Sequence, residues 1–272
     1  PMTRSVMDTI IVTNVIKGYD IKDASTAWSW SQWQRDYLNE LNGVDFKGVR
    51  IGVLKSLMGT ETIHTAVNTI MNTVFERLIS LGADLVWIDE PIDTTKIVEE
   101  ISLHLYDFQD HLNSYLNTLP SSCPYKTMNA IYESGLFHPG VCKNLETALS
   151  LTTHSDAYRL RLQKRYELQE SIVSIMANYG VSLLVYPHQK QLVCKVGDSQ
   201  RERNGVIGAV TGFPSICLPA GFSPVEPSAP IGVPVGFELL GRPFEDERLL
   251  GYAYTYEKHF NTRISPIFPV VR

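Results

Sequence analysis

Four groups of side chains in this 272-residue sequence have the types and spacing for chemistry. His104, Asp107 and His111, with Asp110 beside them, fall at helical spacing. Positions 104, 107 and 111 therefore share a face and carry the donor types of a divalent-metal site. Such spacing is also ordinary on a solvated helix, and the reading adopted is that no metal is held. Cys123, Cys142, Cys194 and Cys217 are far apart and form no Cys-x-x-Cys. That argues against zinc and against a disulfide framework, and favours a reducing, cytoplasmic setting. Arg159, Arg161 and Arg165 either meet an acidic partner or form a solvated face paired with Glu167 and Glu170, and the second is expected. Finally, the polar run GDSQRERN places Glu202, Arg203 and Asn204 directly before an apolar stretch, as substrate-facing groups or as a charged loop.

Beside these groups, a single acid, Glu238, lies between Phe237 and Leu239 in an apolar run. A buried carboxylate is costly unless paired, so it should reach a donor such as Arg242 or point to solvent from an edge strand; edge exposure is expected. The sequence contains no Gly-Gly pair, no Gly-Ser pair and no Gly-x-Ser-x-Gly, so no serine stands in a nucleophile-loop context.

The elements that must position these groups can be read from periodicity. With 44% hydrophobic and 19% charged residues, the chain is long enough for one substantial core or two small ones. A net charge of −5 gives no basic footprint for nucleic acid, and no apolar run approaches the roughly 20 residues of a membrane helix. A helix is expected over 4–17, with Met7, Ile10, Ile11 and Val15 inward, stopped by Gly18. Trp28, Trp30 and Trp33 should pack the following segment onto the body. Strand 49–54, helix 62–81 and strand 84–88 make a strand, helix, strand unit. A continuous helix over 94–116 should bury Ile97, Ile101, Leu105, Phe108, Leu112 and Leu116, and 120–139 reads as a looser region. Helix 153–179 should gather Tyr158, Leu162, Tyr166, Val173 and Met176 on one side, and strand 182–186 follows.

The stretch 205–260 is the organising unit. Pro214 and Pro219 bracket a short strand at 215–218, expected to be buried on both faces. A second strand runs over 235–240. A helix then begins near Glu245, Asp246 and Glu247 and ends near Lys258 and His259, matching the helix dipole, with Leu249, Tyr252, Ala253, Tyr256 and Phe260 inward.

The runs TGFPSICLPAGF and VPVGFELLGRPFEDERLLGYAYTYE closely resemble the C-terminal part of the amidase signature family. At the start, PMTRSVMDTI is similar to that family's Gly-Pro-Met/Leu-x-Arg-Ser-Val-x-Asp segment, with Pro1, Met2, Arg4, Ser5, Val6 and Asp8 matching. VRIGVLKS and LLVYP resemble two family strands. The resemblance implies an α/β fold, a mixed β-sheet covered by helices on both faces, with residues 1–272 as the C-terminal portion of a single amidase signature domain. It also implies a serine, a cis-peptide serine and a lysine, all in a segment preceding the Gly-Pro, so this chain holds no catalytic residue and alone should be inactive.

In the implied chemistry the serine attacks a carboxylic amide, an acyl-enzyme forms, and water releases the acid, with no metal and no cofactor. This chain would supply sheet and one wall of the acyl or amine pocket, for which Met2, Phe137, Tyr158, Asn204, Ile207 and Thr211 are the candidates. Members that take glutamine show Asn-Leu-Ala-Gly-Leu-Pro where this chain has Ala209-Val210-Thr211-Gly212-Phe213-Pro214, which speaks against glutamine-fed transamidation. The expected partners are the N-terminal portion of the same protein or a second copy, covering an open sheet edge and an apolar face around Met2, Ile207 and Val210, and a small amide substrate; no nucleic acid and no membrane are expected. The alternatives are a non-catalytic amidase-like module that binds a partner and, more remotely, a metal-dependent hydrolase using His104 and His111.

Overall fold

The computed structural model describes residues 1–41, 43–198 and 200–266. In chain order its elements are α1 (Val6–Ile16), β1 (Arg50–Leu54), α2 (Thr65–Ser80), β2 (Asp84–Ile88), the single turn α3 (Thr94–Lys96), α4 (His104–Thr118), α5 (Met128–Ser134), α6 (Cys142–Ser150), α7 (Asp156–Asn178), β3 (Leu183–Pro187), α8 (Val206–Thr211), β4 (Ser215–Phe222), β5 (Pro234–Leu240) and α9 (Asp246–His259). They fall into two compact units, Pro1–Thr94 with Ile172–Arg272, and Thr95–Ser171.

The first unit is built on one mixed sheet in the order β2-β1-β3-β5-β4. β1 pairs in parallel with β2 and β3, whereas β5 runs antiparallel to both β3 and β4. Unbroken apolar runs suit strands covered on both sides, and β1 and β3 are buried almost throughout. One face carries the main core, in which Ile51, Val53, Val185, Phe237 and Leu239 meet α2 through Val67, Met71, Val74 and Leu78 and α9 through Leu249, Tyr252 and Tyr256. On the other face Leu54, Leu184, Tyr186 and Leu240 are buried. There α8 approaches so closely that a Cβ on Gly208 would lie 2.4 Å from Ser215 Oγ and 3.5 Å from Leu240 Cδ1. The sheet is thus covered by helices on both faces, the α/β arrangement expected.

Several local expectations are corrected. β4 runs four residues beyond 218 and is an edge strand, with Leu218 and Ala220 buried and Ser215, Cys217 and Pro219 exposed. Pro219 removes one donor, which an edge tolerates and an interior strand does not. In α1 only Val6 and Ile10 are buried, while Ile11 and Val15 face solvent. The tryptophan segment forms 3₁₀ turns in which Trp33 stacks on Tyr19 at 5.4 Å and meets Trp30 edge-on at 5.0 Å, leaving Trp28 and Trp30 exposed. Ile207 is buried by its own unit, whereas Met2 is fully exposed.

The second unit is helical, with a small core of Met128, Leu145 and Ala148 against Leu105, Leu112, Tyr132 and Phe137. The continuous helix expected from residue 94 is interrupted. A π-helical turn, Ile97–Ile101, ends at Ser102, whose Oγ bonds His104 Nδ1 at 2.7 Å, and α4 begins there. A serine that bonds locally competes with helix continuation. Phe108 is consequently exposed. Of α7, which crosses from one unit to the other, Leu162 and Tyr166 in the second unit face solvent, and the buried residues Ile172, Ile175 and Met176 belong to the first. Arg161 bonds the carbonyls of Glu99 and Ser102 and lies over the Tyr106 ring, in place of the expected glutamate pairing.

Candidate functional site

The sheet register assembles a polar row on the α8 face. Tyr186 on β3 stands directly opposite Glu238 on β5, which stands directly opposite Cys217 on β4. Directly opposed residues project to the same side, so the three side chains share that face. His188, two residues beyond Tyr186, projects there too, and its backbone N–H donates to Gly236 O at 2.9 Å.

Glu238 is buried in an interior strand, which overturns the expectation of edge exposure. Its donors differ from the one expected, because Arg242 donates to Val181 O instead. Tyr186 OH donates to Glu238 Oε2 at 2.9 Å, and His188 Nδ1 bonds Oε1 at 2.6 Å. The His188 imidazole, itself about half exposed, also lies against the Cys217 sulfur. Contact with that sulfur, then with the Glu238 carboxylate, pushes the His188 pKa from 6.5 up to about 10 against the opposing effect of burial. Burial, followed by the adjacent carboxylate, raises the Tyr186 hydroxyl well above its ordinary value.

Two glycines make room for this arrangement. A Cβ on Gly205 would lie 2.5 Å from His188 Cε1 and 2.7 Å from Glu238 Oε1, and one on Gly236 would lie 2.7 Å from Cys217 Sγ. The missing side chain of Gly236 leaves the space that the Cys217 sulfur takes, and that of Gly205 leaves the space that the imidazole takes.

The loop from 188 to 205 is closed on itself and tied to the sheet. His188 O accepts from the N–H of Asn204 at 2.8 Å and of Gly205 at 3.2 Å, and Lys190 N donates to Glu202 O at 3.0 Å. Glu202 adopts a left-handed backbone, φ 55°, held in place by its carboxylate on His64 Nε2 at 2.8 Å. His64 Nδ1 accepts from Glu61 N at 3.0 Å, so Nε2 is the nitrogen that donates. Asn204 is fully buried and its Nδ2 donates to Leu57 O and Pro187 O, while its Oδ1 has no hydrogen-bond partner among the described residues.

Of the six wall candidates, Asn204, Ile207 and Thr211 come together at α8. Ile207 is fully buried, and Thr211 Oγ1 donates to Ile207 O at 2.7 Å and accepts from Phe213 N. Met2 lies along a groove of about 600 Å³ that follows β4 past Pro214, Cys217 and Pro219. Phe137 and Tyr158 belong to the second unit, where Phe137 stacks on Tyr132 and Tyr158 OH donates to Asp107 at 2.7 Å. Sequence reasoning missed the group formed by Tyr186, His188 and Cys217. The one available signal was Glu238 itself, an acid in an apolar run that demanded donors, together with a Tyr-x-His spacing that places both side chains on one strand face.

A model of the Amidase family matches residues 1–250. A glutamyl-tRNA(Gln) amidotransferase subunit of Methanosarcina mazei is 24% identical over 283 residues, covering 98% of this chain and 56% of that protein. The corresponding protein of Staphylococcus haemolyticus is 27% identical over 279 residues, covering 96% and 54%. Among solved structures, native peptide amidase from Stenotrophomonas maltophilia matches with a TM-score of 0.78 at 24% identity, covering 99% of this chain and 55% of that one. An amidase family protein from Bacillus anthracis matches with a TM-score of 0.76 at 21% identity, covering 98% and 49%. The chain spans about half the length of the curated relatives it matches. With the family model matching all but the last 22 residues, 272 less 250, the chain belongs to the Amidase family.

Proposed function

We propose that this chain is the distal part of an amidase that hydrolyses carboxylic amides to an acid and an amine or ammonia, its two compact units being parts of a single amidase signature domain. The serine, cis-peptide serine and lysine that do the chemistry lie in an upstream segment in this reading. The observation that carries it is the open β4 edge, an exposed strand flanked by the exposed Met2 segment, in a chain about half as long as its relatives. An unpaired edge is a template for further strands, and the upstream segment is the occupant proposed for it.

The serine attacks the amide carbonyl, the lysine acting through the second serine moves the proton, and the acyl-enzyme is released by water. Asn204 supports a substrate-side role for α8, because a buried acceptor without a donor is costly and a donor from the substrate or the upstream loop would satisfy it. Ile207 and Thr211 hold that helix from beneath, and Met2 edges the groove. The Ala209-to-Pro214 sequence supports an amide other than glutamine as the substrate.

The test is hydrolysis of simple acyl amides by this chain alone and after co-expression with the upstream segment. The expected result is no turnover above a buffer blank alone, and turnover blocked by a serine-directed fluorophosphonate in the pair. Fluorophosphonate-sensitive turnover by the chain alone would place the nucleophile within it. A pair that assembles without turnover would favour a non-catalytic module.

A further inference from the structure

Cys217, His188, Glu238 and Tyr186 form a nucleophile, a base and two successive supports, and no step of the amide chemistry uses them. We propose that Cys217 is a reactive thiol that forms a reversible mixed disulfide with low-molecular-weight disulfides, with His188 as its imidazole partner and Glu238 as the group that positions His188. The inference concerns this chain with its β4 edge uncovered, so its failure leaves the amide-cleaving reading untouched.

Three observations carry it. The first is register: the β3, β5 and β4 pairings place Tyr186, Glu238 and Cys217 in one line across three strands, while His188 comes from the same face of β3's end. The second is space, because Gly205 and Gly236 leave the imidazole and the sulfur room that any Cβ would fill, at 2.5 Å from His188 Cε1 and 2.7 Å from Cys217 Sγ. The third is exposure. Cys217 is exposed on an edge strand, whereas its supports become steadily more buried toward Glu238 and Tyr186.

The other cysteines provide the contrast. Cys142 donates to the Glu146 carboxylate at 3.4 Å, and this contact raises its pKa. Cys123 and Cys194 donate to backbone carbonyls, of Tyr125 at 3.3 Å and Asp198 at 3.4 Å. Cys217 instead has an imidazole beside its sulfur, the setting in which a thiol serves as a nucleophile. The charged and titratable groups facing His188 are Glu238 from β5, Cys217 from β4 and, behind Glu238, Tyr186 from β3.

In the step itself, the Cys217 sulfur attacks one sulfur of a small disulfide RS–SR. A Cys217–S–S–R bond forms as the RS–SR bond breaks, and the departing RS⁻ takes the proton held by His188 and leaves as RSH. Cys217 is thereby oxidised to the mixed disulfide and one half of the reagent reduced to a thiol; attack by a second thiol on the adduct restores the start.

The experiment uses the full chain with Cys123, Cys142 and Cys194 replaced by serine, reacted with 2,2′-dithiodipyridine across a pH series, with reduced glutathione as the free-thiol reference. Near pH 6, Cys217 should react at least about 10-fold faster than glutathione, and H188Q should bring it down to the reference. Mass spectrometry should place the adduct at 217. A rate that follows glutathione at every pH overturns the proposal, as does a thiol that reacts only after denaturation. The pH profile with His188 intact decides the matter even where H188Q does not fold.

Discussion

At the scale of single residues, Glu238 organises the α8 face of the sheet because a carboxylate so placed has to be satisfied. It accepts from Tyr186 OH and bonds His188 Nδ1, and it thereby fixes which imidazole nitrogen faces inward. The contacts of His188 with Cys217 first and Glu238 second have a stability consequence with a definite sign. The His188 pKa is about 10 in the folded chain against an ordinary 6.5, so folding takes up a proton in the range between them. The stabilisation is complete below about pH 6.5 and is lost as pH rises toward about 10. Half-exposure of the ring reduces its size through solvent screening, so the direction is what is tested. Urea midpoints measured across that range should fall with pH in the native sequence, and the fall should be shallower in H188Q. Equal slopes in the two proteins would refute the coupling.

At the scale of elements, β1 shows how closely the sheet is packed. It pairs on both sides, to β2 and β3, and its central Gly52 leaves a space lined by its neighbours. A Cβ at Gly52 would lie 2.5 Å from Ile88 Cδ1, 2.8 Å from Leu184 Cδ2 and 3.3 Å from Val181 Cγ2. Overpacking of this kind costs about 1–3 kcal/mol, so G52A should destabilise the first unit by that order. I88V removes the nearest methyl and by itself costs about 0.5–1.5 kcal/mol as an ordinary core truncation. Because the two changes meet at one point, the double variant should lose less stability than the sum of the singles in a denaturation cycle. Strict additivity would mean that the backbone, not Ile88, absorbs the clash. α8 is held differently, by the Thr211 hydroxyl on Ile207 O and by Gly212, whose φ of 74° ends the helix in a left-handed turn.

At the scale of the whole molecule, the chain is two compact units, one of which ends its sheet on an exposed, proline-bearing strand. No helix among the described residues is long and apolar enough to cross a membrane. Stability in such a sheet should be graded, since β1 and β3 are buried and paired on both sides while β4 is paired only with β5. Hydrogen exchange of the isolated chain should therefore be slowest in β1 and β3 and much faster in β4. Addition of the proposed upstream segment should slow β4 by about 10-fold or more as its free edge becomes paired. Exchange in β4 that is already as slow as in β1, or unchanged on addition, would count against that occupant.

What the sequence determined by itself was local. Continuous apolar runs bounded by glycine and proline located the five strands, and 3.6-residue periodicity located α2 and α9, whose buried residues include Val67, Met71, Val74, Leu78, Leu249, Tyr252, Ala253 and Tyr256. The family resemblance was legible for the same reason, being carried by contiguous segments near both ends. α5 and α6 were not legible, because helices of 7 and 9 residues contain too few turns to show a period. The strand order was decided only by tertiary structure, and with it the fate of Glu238: interior to the sheet by virtue of β4 lying outside β5. The same holds for the group around His188. Residues 186, 188, 217 and 238 meet because of cross-strand register and two absent side chains, at Gly205 and Gly236. Register is a property of paired strands, so no single segment of the sequence carries it.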